Sequence, residues 1–273
     1  MKPRALLRPG QLAWLAEIGL DTHWLAERPA SDGACVSPAA RAESGDPAGP
    51  APGLVRVRAP AGLVAPQAPA PAPGAGAPAD CPDLQALGQA VSACSRCERH
   101  AHRALAVSGS GTAGQPYYLI VGEQPGIEDD ASGQPFQGDQ GRLLAAMLAA
   151  ARLPHADSAY LTYAVKCRAV GGREPPPADV AACLPWLRQQ IALLQPRWIL
   201  ALGRVAARAV IGSDADLDEL RGGPHRYVPD QGEPIPVWVT HQPSSLLVRS
   251  AWKAEAWRDL AGLAQAVRES RKA

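Results

Sequence analysis

The chain has 273 residues, 47% of them hydrophobic, and a formal net charge of +1. That length holds one large domain or two small ones with an ample core, and the near-zero charge excludes a global field that would by itself announce a nucleic-acid partner, so any such contact must come from a local basic patch. No charged-then-apolar leader and no apolar run long enough to span a bilayer is found, which predicts a cytoplasmic protein.

Residues 9–28 (PGQLAWLAEIGLDTHWLAER) form an isolated apolar island. Leu12, Leu15, Ala16 and Ile18 share one helical face, Gly19 is a stop, and Leu20, Trp24 and Leu25 follow as an apolar hook that needs a surface to cover it. Residues 1–28 therefore read as a short helical interaction segment. Residues 29–80 are dominated by Ala, Pro and Gly without periodicity and read as a disordered linker, with an r.m.s. span of about 40 Å. The island either reaches a partner or folds back on its own domain.

From residue 81 to residue 273 the composition becomes that of a globular domain. Leu84, Leu87 and Val91 predict a helix that leads into Cys94-Ser-Arg-Cys97 and a basic patch of Arg99, His100, His102 and Arg103. Residues 117–121 predict a buried strand, after which Gly122, Pro125 and Gly126 place Glu123 on a tight turn past its carboxyl end, where open α/β sheets bind ligands. Glu128, Asp129 and Asp130 read as a solvated acidic loop running to Gly133-Gln134-Pro135-Phe136, the only phenylalanine, with a helix starting near Arg142. Further strands are predicted at 160–165, 198–202 and 236–240. A Gly/Pro-rich loop follows Lys166-Cys167-Arg168, and helices fill the gaps, the one after Asp179 capped by that residue. Strands alternating with helices predict an α/β domain with a parallel sheet covered on both faces.

Six cysteines in a reducing compartment are free thiols or ligands rather than disulfides. Cys94 and Cys97 are a tight pair; Cys167 and Cys183 are a wide one, which suits a zinc ribbon poorly and suits a cubane cluster with one thiolate per iron corner. Buried cysteines that bind nothing are the alternative. Cys35 and Cys81 lie in or beside the linker.

Taken together, GEQPG, the GxPFxGxxG loop, Lys166-Cys167-Arg168 with its sequel, the cysteine spacings and Ala201-Leu202-Gly203 resemble the family 4 uracil-DNA glycosylases, the iron–sulphur branch of that superfamily. The resemblance covers about residues 94–267. It implies a three-layer α/β/α domain with a four-stranded parallel sheet, a 4Fe-4S cluster on Cys94, Cys97, Cys167 and Cys183, and excision of uracil or another damaged base from DNA. It further implies that Phe136 stacks the base, that Glu123 orients water, and that Lys166, Arg168 and Arg173 lie against phosphates.

Two positions depart from the pattern. Where the family carries an asparagine that reads the uracil edge, this chain has Tyr163, whose single hydroxyl replaces a paired donor and acceptor. Where it carries a histidine directly before Pro-Ser or Pro-Ala, this chain has Gln242, with His241 one residue earlier. The island at 9–28 in turn resembles the N-terminal segment of the psi subunit of the bacterial DNA polymerase III clamp-loader assembly, which implies the chi subunit as a partner. The two resemblances leave open a glycosylase and a catalytically impaired replisome adaptor, beside a third function, a cluster-bearing DNA-binding or redox-sensing domain with neither role.

Overall fold

In the computed structural model, residues 80–270 are described; the interaction segment at 1–28 and the linker as far as residue 79 lie outside the described residues. Four apolar runs become the strands β2 (Tyr118–Gly122), β3 (Ala159–Tyr163), β4 (Trp198–Leu202) and β6 (Ile235–Thr240). They pair in parallel, with Gly122 opposite Tyr163, Val121 opposite Ala201 and Leu202 opposite Thr240. Every residue of β2 and β4 is buried, as expected of central parallel strands covered on both faces.

The helices divide between the two faces according to which residues each strand offers. Leu119, Val121, Ile199, Ala201, Val237 and Val239 point to one side and pack with Leu87 and Val91 of α1 (Leu84–Ala93), with Val180, Trp186, Leu187 and Ile191 of α4 (Pro177–Leu194), and with Val205 and Val210 of α5 (Arg204–Ile211). Tyr118, Ile120, Leu200, Leu202 and Trp238 point to the other. They meet Leu143, Leu144 and Met147 of α3 (Gly138–Ala151), Leu246 of α7 (Pro243–Val248), and Leu260, Leu263 and Val267 of α8 (Lys253–Ser270). This strict alternation follows from the two-residue strand period and gives three α/β/α layers.

The expected parallel sheet of four strands is present at the centre, but the sheet has six strands in the order β1-β3-β2-β4-β6-β5. The additions are antiparallel edges, β1 (Ser110–Gly111) beside β3 and β5 (Gly222–Tyr227) beside β6. Neither has an apolar alternation to betray it: β5 reads GGPHRY and half of it faces solvent.

Three local expectations are corrected. The acidic run is a short helix, α2 (Ile127–Ser132), with Asp129 and Asp130 buried rather than solvated. Helix α3 starts at Gly138, a turn before Arg142. Asp179 is not the cap of α4, which is Pro176; it sits in the first turn and pairs with Arg99 at 2.6 Å. Because the four central strands run the same way, their carboxyl ends bring Glu123, Tyr163, Gly203 and His241 to one edge of the sheet.

Candidate active site

Glu123 follows β2 and is partly buried, with Oε1 accepting a hydrogen bond from the Val205 N–H at 3.1 Å in the first turn of α5. Burial pushes its carboxyl above the ordinary value, opposed by that N–H and by the Arg204 guanidinium. Gly203 makes the approach possible: it has φ +90°, and a Cβ there would come within 2.7 Å of the Glu123 carboxyl carbon. A cavity of about 430 Å³ opens beside this carboxylate, lined also by Arg204, His241, Gln242, Ser245, Arg249 and Trp252.

His241 and Gln242 both reach that cavity, so the two residues of the altered motif and Glu123 do meet. The imidazole of His241 is 2% exposed, stacks on Trp252 at 4.9 Å and shares a 3.0 Å hydrogen bond through Nε2 with Glu255, while its buried Nδ1 has no partner. Hydrogen bonding to His241 holds the Glu255 carboxyl below its ordinary value. Asp218 completes a close group with these two, but Arg221 already pairs with Asp218 at 3.4 Å and with Glu255 at 3.3 Å, so the group is a charge network that fixes the histidine. Gln242 is the N-cap residue of α7; its Oε1 is buried and unpartnered. Unmatched polar atoms of this kind are uncommon in folded proteins and call for a ligand or water.

Phe136 and Tyr163 are together over Gly122, the residue before Glu123. Their rings stack at 4.8 Å and 29° above Gly122, where a Cβ would come within 2.7 Å of the tyrosine ring and 2.8 Å of the phenylalanine ring. Neither ring lines the 430 Å³ cavity.

The four cysteines expected to act together line one cavity with Val91, Arg96, Arg103, Lys166, Ala182 and Trp186. Three hydrogen bonds are aimed at sulphur: Arg103 Nη1 to Cys167 at 2.9 Å, the Lys166 N–H to Cys183 at 3.3 Å and Trp186 Nε1 to Cys94 at 3.4 Å. Among the described residues, the group of three donor atoms within 4.8 Å of one another is the Asp218 group and not the sulphurs. Four thiols on one cavity with N–H donors converging on sulphur fit an iron–sulphur core. Burial pushes the Cys183 thiol up to about 12 and raises those of Cys97 and Cys167 as well.

Residues 108–261 match the family model described as the uracil DNA glycosylase superfamily. The chain belongs to that superfamily. A type-4 uracil-DNA glycosylase of Pyrobaculum aerophilum is 36% identical over 183 residues, covering 66% of this chain and 92% of the relative. Others of the same description, from Archaeoglobus fulgidus (30%, 63% of this chain, 87% of the relative) and Thermotoga maritima (34%, 52% and 73%), agree.

Within the glycosylase domain, Lys166 is not where the sequence led us to expect it. It is 1% exposed, and Nζ donates to Thr162 Oγ1 at 2.6 Å, Tyr163 O at 2.7 Å and Gln190 Oε1 at 2.5 Å. Burial lowers its ammonium to about 8. It ties the end of β3 to α4 and cannot touch a phosphate from there. Arg168 and Arg173 do lie together along an open groove with His102, although Arg168 is also paired with Asp130 at 3.3 Å.

The expected basic patch is partly internal. Arg99 is 7% exposed, held by Asp179 and Gln124 at 2.6 Å each and by Cys167 O at 3.4 Å. Asp129 was missed outright. Wholly buried, it accepts hydrogen bonds from the Gly126 N–H at 2.7 Å, the Gln137 N–H at 2.6 Å, Gln140 Nε2 at 2.7 Å and Tyr163 Oη at 2.7 Å. Only its place three residues after Gly126, inside a Gly/Pro-rich loop that must turn tightly, signals it in the sequence.

Proposed function

We propose that this domain hydrolyses the N-glycosidic bond of uracil in DNA, in base-excision repair. The observation that carries the proposal is Glu123, held at a strand end by a helix N–H, facing the same cavity as Gln242 and His241. Excision requires the base to leave the duplex and lie against a ring, charge on the departing base to be stabilised, and water to be positioned at the sugar. Phe136 is the stacking ring. The Val205 N–H fixes the Glu123 carboxylate in position to orient water, and the raised pKa keeps it a better base than an exposed one. Gln242 supplies a neutral amide donor to the base oxygen that gathers charge, and His241 lines the same cavity. Arg168 and Arg173 hold the phosphates.

Cys94, Cys97, Cys167 and Cys183 would hold a 4Fe-4S cluster, which when bound braces the loop carrying Arg168 rather than entering the reaction. Among the described residues no helix is long and apolar enough to cross a membrane. Single- and double-stranded oligonucleotides carrying uracil test the activity. Abasic product from the full chain, absent from a Glu123→Ala variant, is the expected result; equal product from both rejects it.

A second reading is favoured by the contact of Tyr163 with Phe136 and by the loss of histidine at position 242. On that reading the domain is a catalytically impaired adaptor whose residues 9–28 bind the clamp-loader chi subunit. Equal affinity for chi with and without residues 1–28 removes it.

A further inference from the structure

A base that stacks on Phe136 needs a free face of that ring, and the ring is buried with Tyr163 over one face. Phe136 is 6% exposed, and Tyr163, wholly buried, lies over it at 4.8 Å and 29°, within the range of aromatic pairs that attract. The tyrosine is also locked at its far end. Its hydroxyl donates to Asp129 Oδ2 at 2.7 Å and accepts from the Phe136 N–H at 3.0 Å and from Gln140 Nε2 at 3.4 Å. All three partners belong to the segment that presents Phe136, so the lock joins the phenol to the loop carrying the stacking ring. Phe136 itself has φ +55°, in the left-handed region that a bulky residue adopts only under constraint.

We propose that Tyr163 is a built-in occupant of the base slot: it covers the stacking face of Phe136 when no DNA is bound and must swing aside before a flipped pyrimidine is seated. It thereby sets how readily a base enters. The inference rests on the glycosylase reading, because it takes Phe136 as the stacking ring. It assigns Tyr163 a role opposite to the one its position suggested, since a residue that reads the base edge keeps its polar atoms pointed at the ligand, whereas this hydroxyl is spent on Asp129.

Entry is measured apart from chemistry by working in the full-length Glu123→Gln protein with an oligonucleotide bearing uracil next to 2-aminopurine, whose fluorescence rises as its neighbour flips out. Tyr163→Phe keeps the ring and removes the lock; Tyr163→Asn removes both. The flipped fraction is expected to rise in the order tyrosine, phenylalanine, asparagine. The gain for asparagine is on the order of ten- to hundredfold, reflecting loss of one ring stack and one charge-assisted hydrogen bond. Equal flipping in all three overturns the proposal, and should the asparagine variant fail to fold, the phenylalanine variant decides alone. If flipping follows the order but no variant with Glu123 intact excises uracil, the gate stands and the glycosylase reading falls. If the wild type excises, the Glu123→Ala variant does not, and flipping is indifferent to position 163, the reading stands and the gate falls.

Discussion

The cysteine cavity and the strand-end cavity are both built from loops that follow parallel strands, yet their polar atoms are treated in opposite ways. Around the cysteines, nearly every group is matched: Lys166 Nζ has three acceptors, and three of the sulphurs receive an N–H. Around Glu123, two buried atoms, His241 Nδ1 and Gln242 Oε1, have no partner at all. A buried polar atom left unmatched costs about 1–3 kcal/mol, so each one calls for an explanation. At these two cavities the matched groups brace the fold, while the unmatched ones belong to residues that line the space beside Glu123.

The sharpest way to break this comparison is to change Glu123. Glu123→Gln should lower single-turnover excision by about 10²–10⁴, the range for a positioned general base. In the wild type, the acid limb of the pH–rate profile should lie above the ordinary carboxylate value, because burial raises this group, and the limb should vanish in the variant. The sign for stability is opposite. A carboxyl that titrates higher folded than unfolded binds protons on folding, so stability falls as pH rises from the unfolded value through the folded one. Glu123→Gln should therefore melt at a higher temperature than the wild type at neutral pH, measured by calorimetry.

Gln242→Leu comes next. Removal of a charge-stabilising donor should slow excision by about 10²–10³, while the melting temperature holds or rises, since an unmatched polar atom is removed. A large loss of stability would mean that Gln242 is scaffold after all, and the contrast would fail on that side.

At the matched cavity the effects should appear in stability first. Lys166→Met leaves Thr162, Tyr163 O and Gln190 short of a donor and should cost about 1–3 kcal/mol in denaturant unfolding. It should leave the salt dependence of DNA binding unchanged, as befits a lysine that touches no phosphate. Cys183→Ser should lose bound iron and inorganic sulphide by chemical analysis, together with stability. The smallest effect is expected at the open groove: Arg168→Ala and Arg173→Ala should each weaken DNA binding and reduce the salt slope by about one, because each removes one phosphate contact.

The layout of this protein was largely determined by its sequence. Four short apolar runs between glycines and prolines can only be buried strands, and helices between them force a parallel sheet whose carboxyl ends gather Glu123, Gly203 and His241. The resemblance, which rests in part on the cysteine spacings, likewise pointed to four thiols acting together, and the four line one cavity. What only the tertiary structure decided was the role of individual polar side chains. Lys166 looked like a phosphate contact, Asp129 like a solvated charge and Tyr163 like a base reader; all three are buried, and each has at least one partner distant in the chain. The reason is physical. Strand and helix periods are local and repeat within a few residues, whereas a hydrogen bond between Tyr163 and Asp129, or between Lys166 and Gln190, exists only once the segments carrying them have packed.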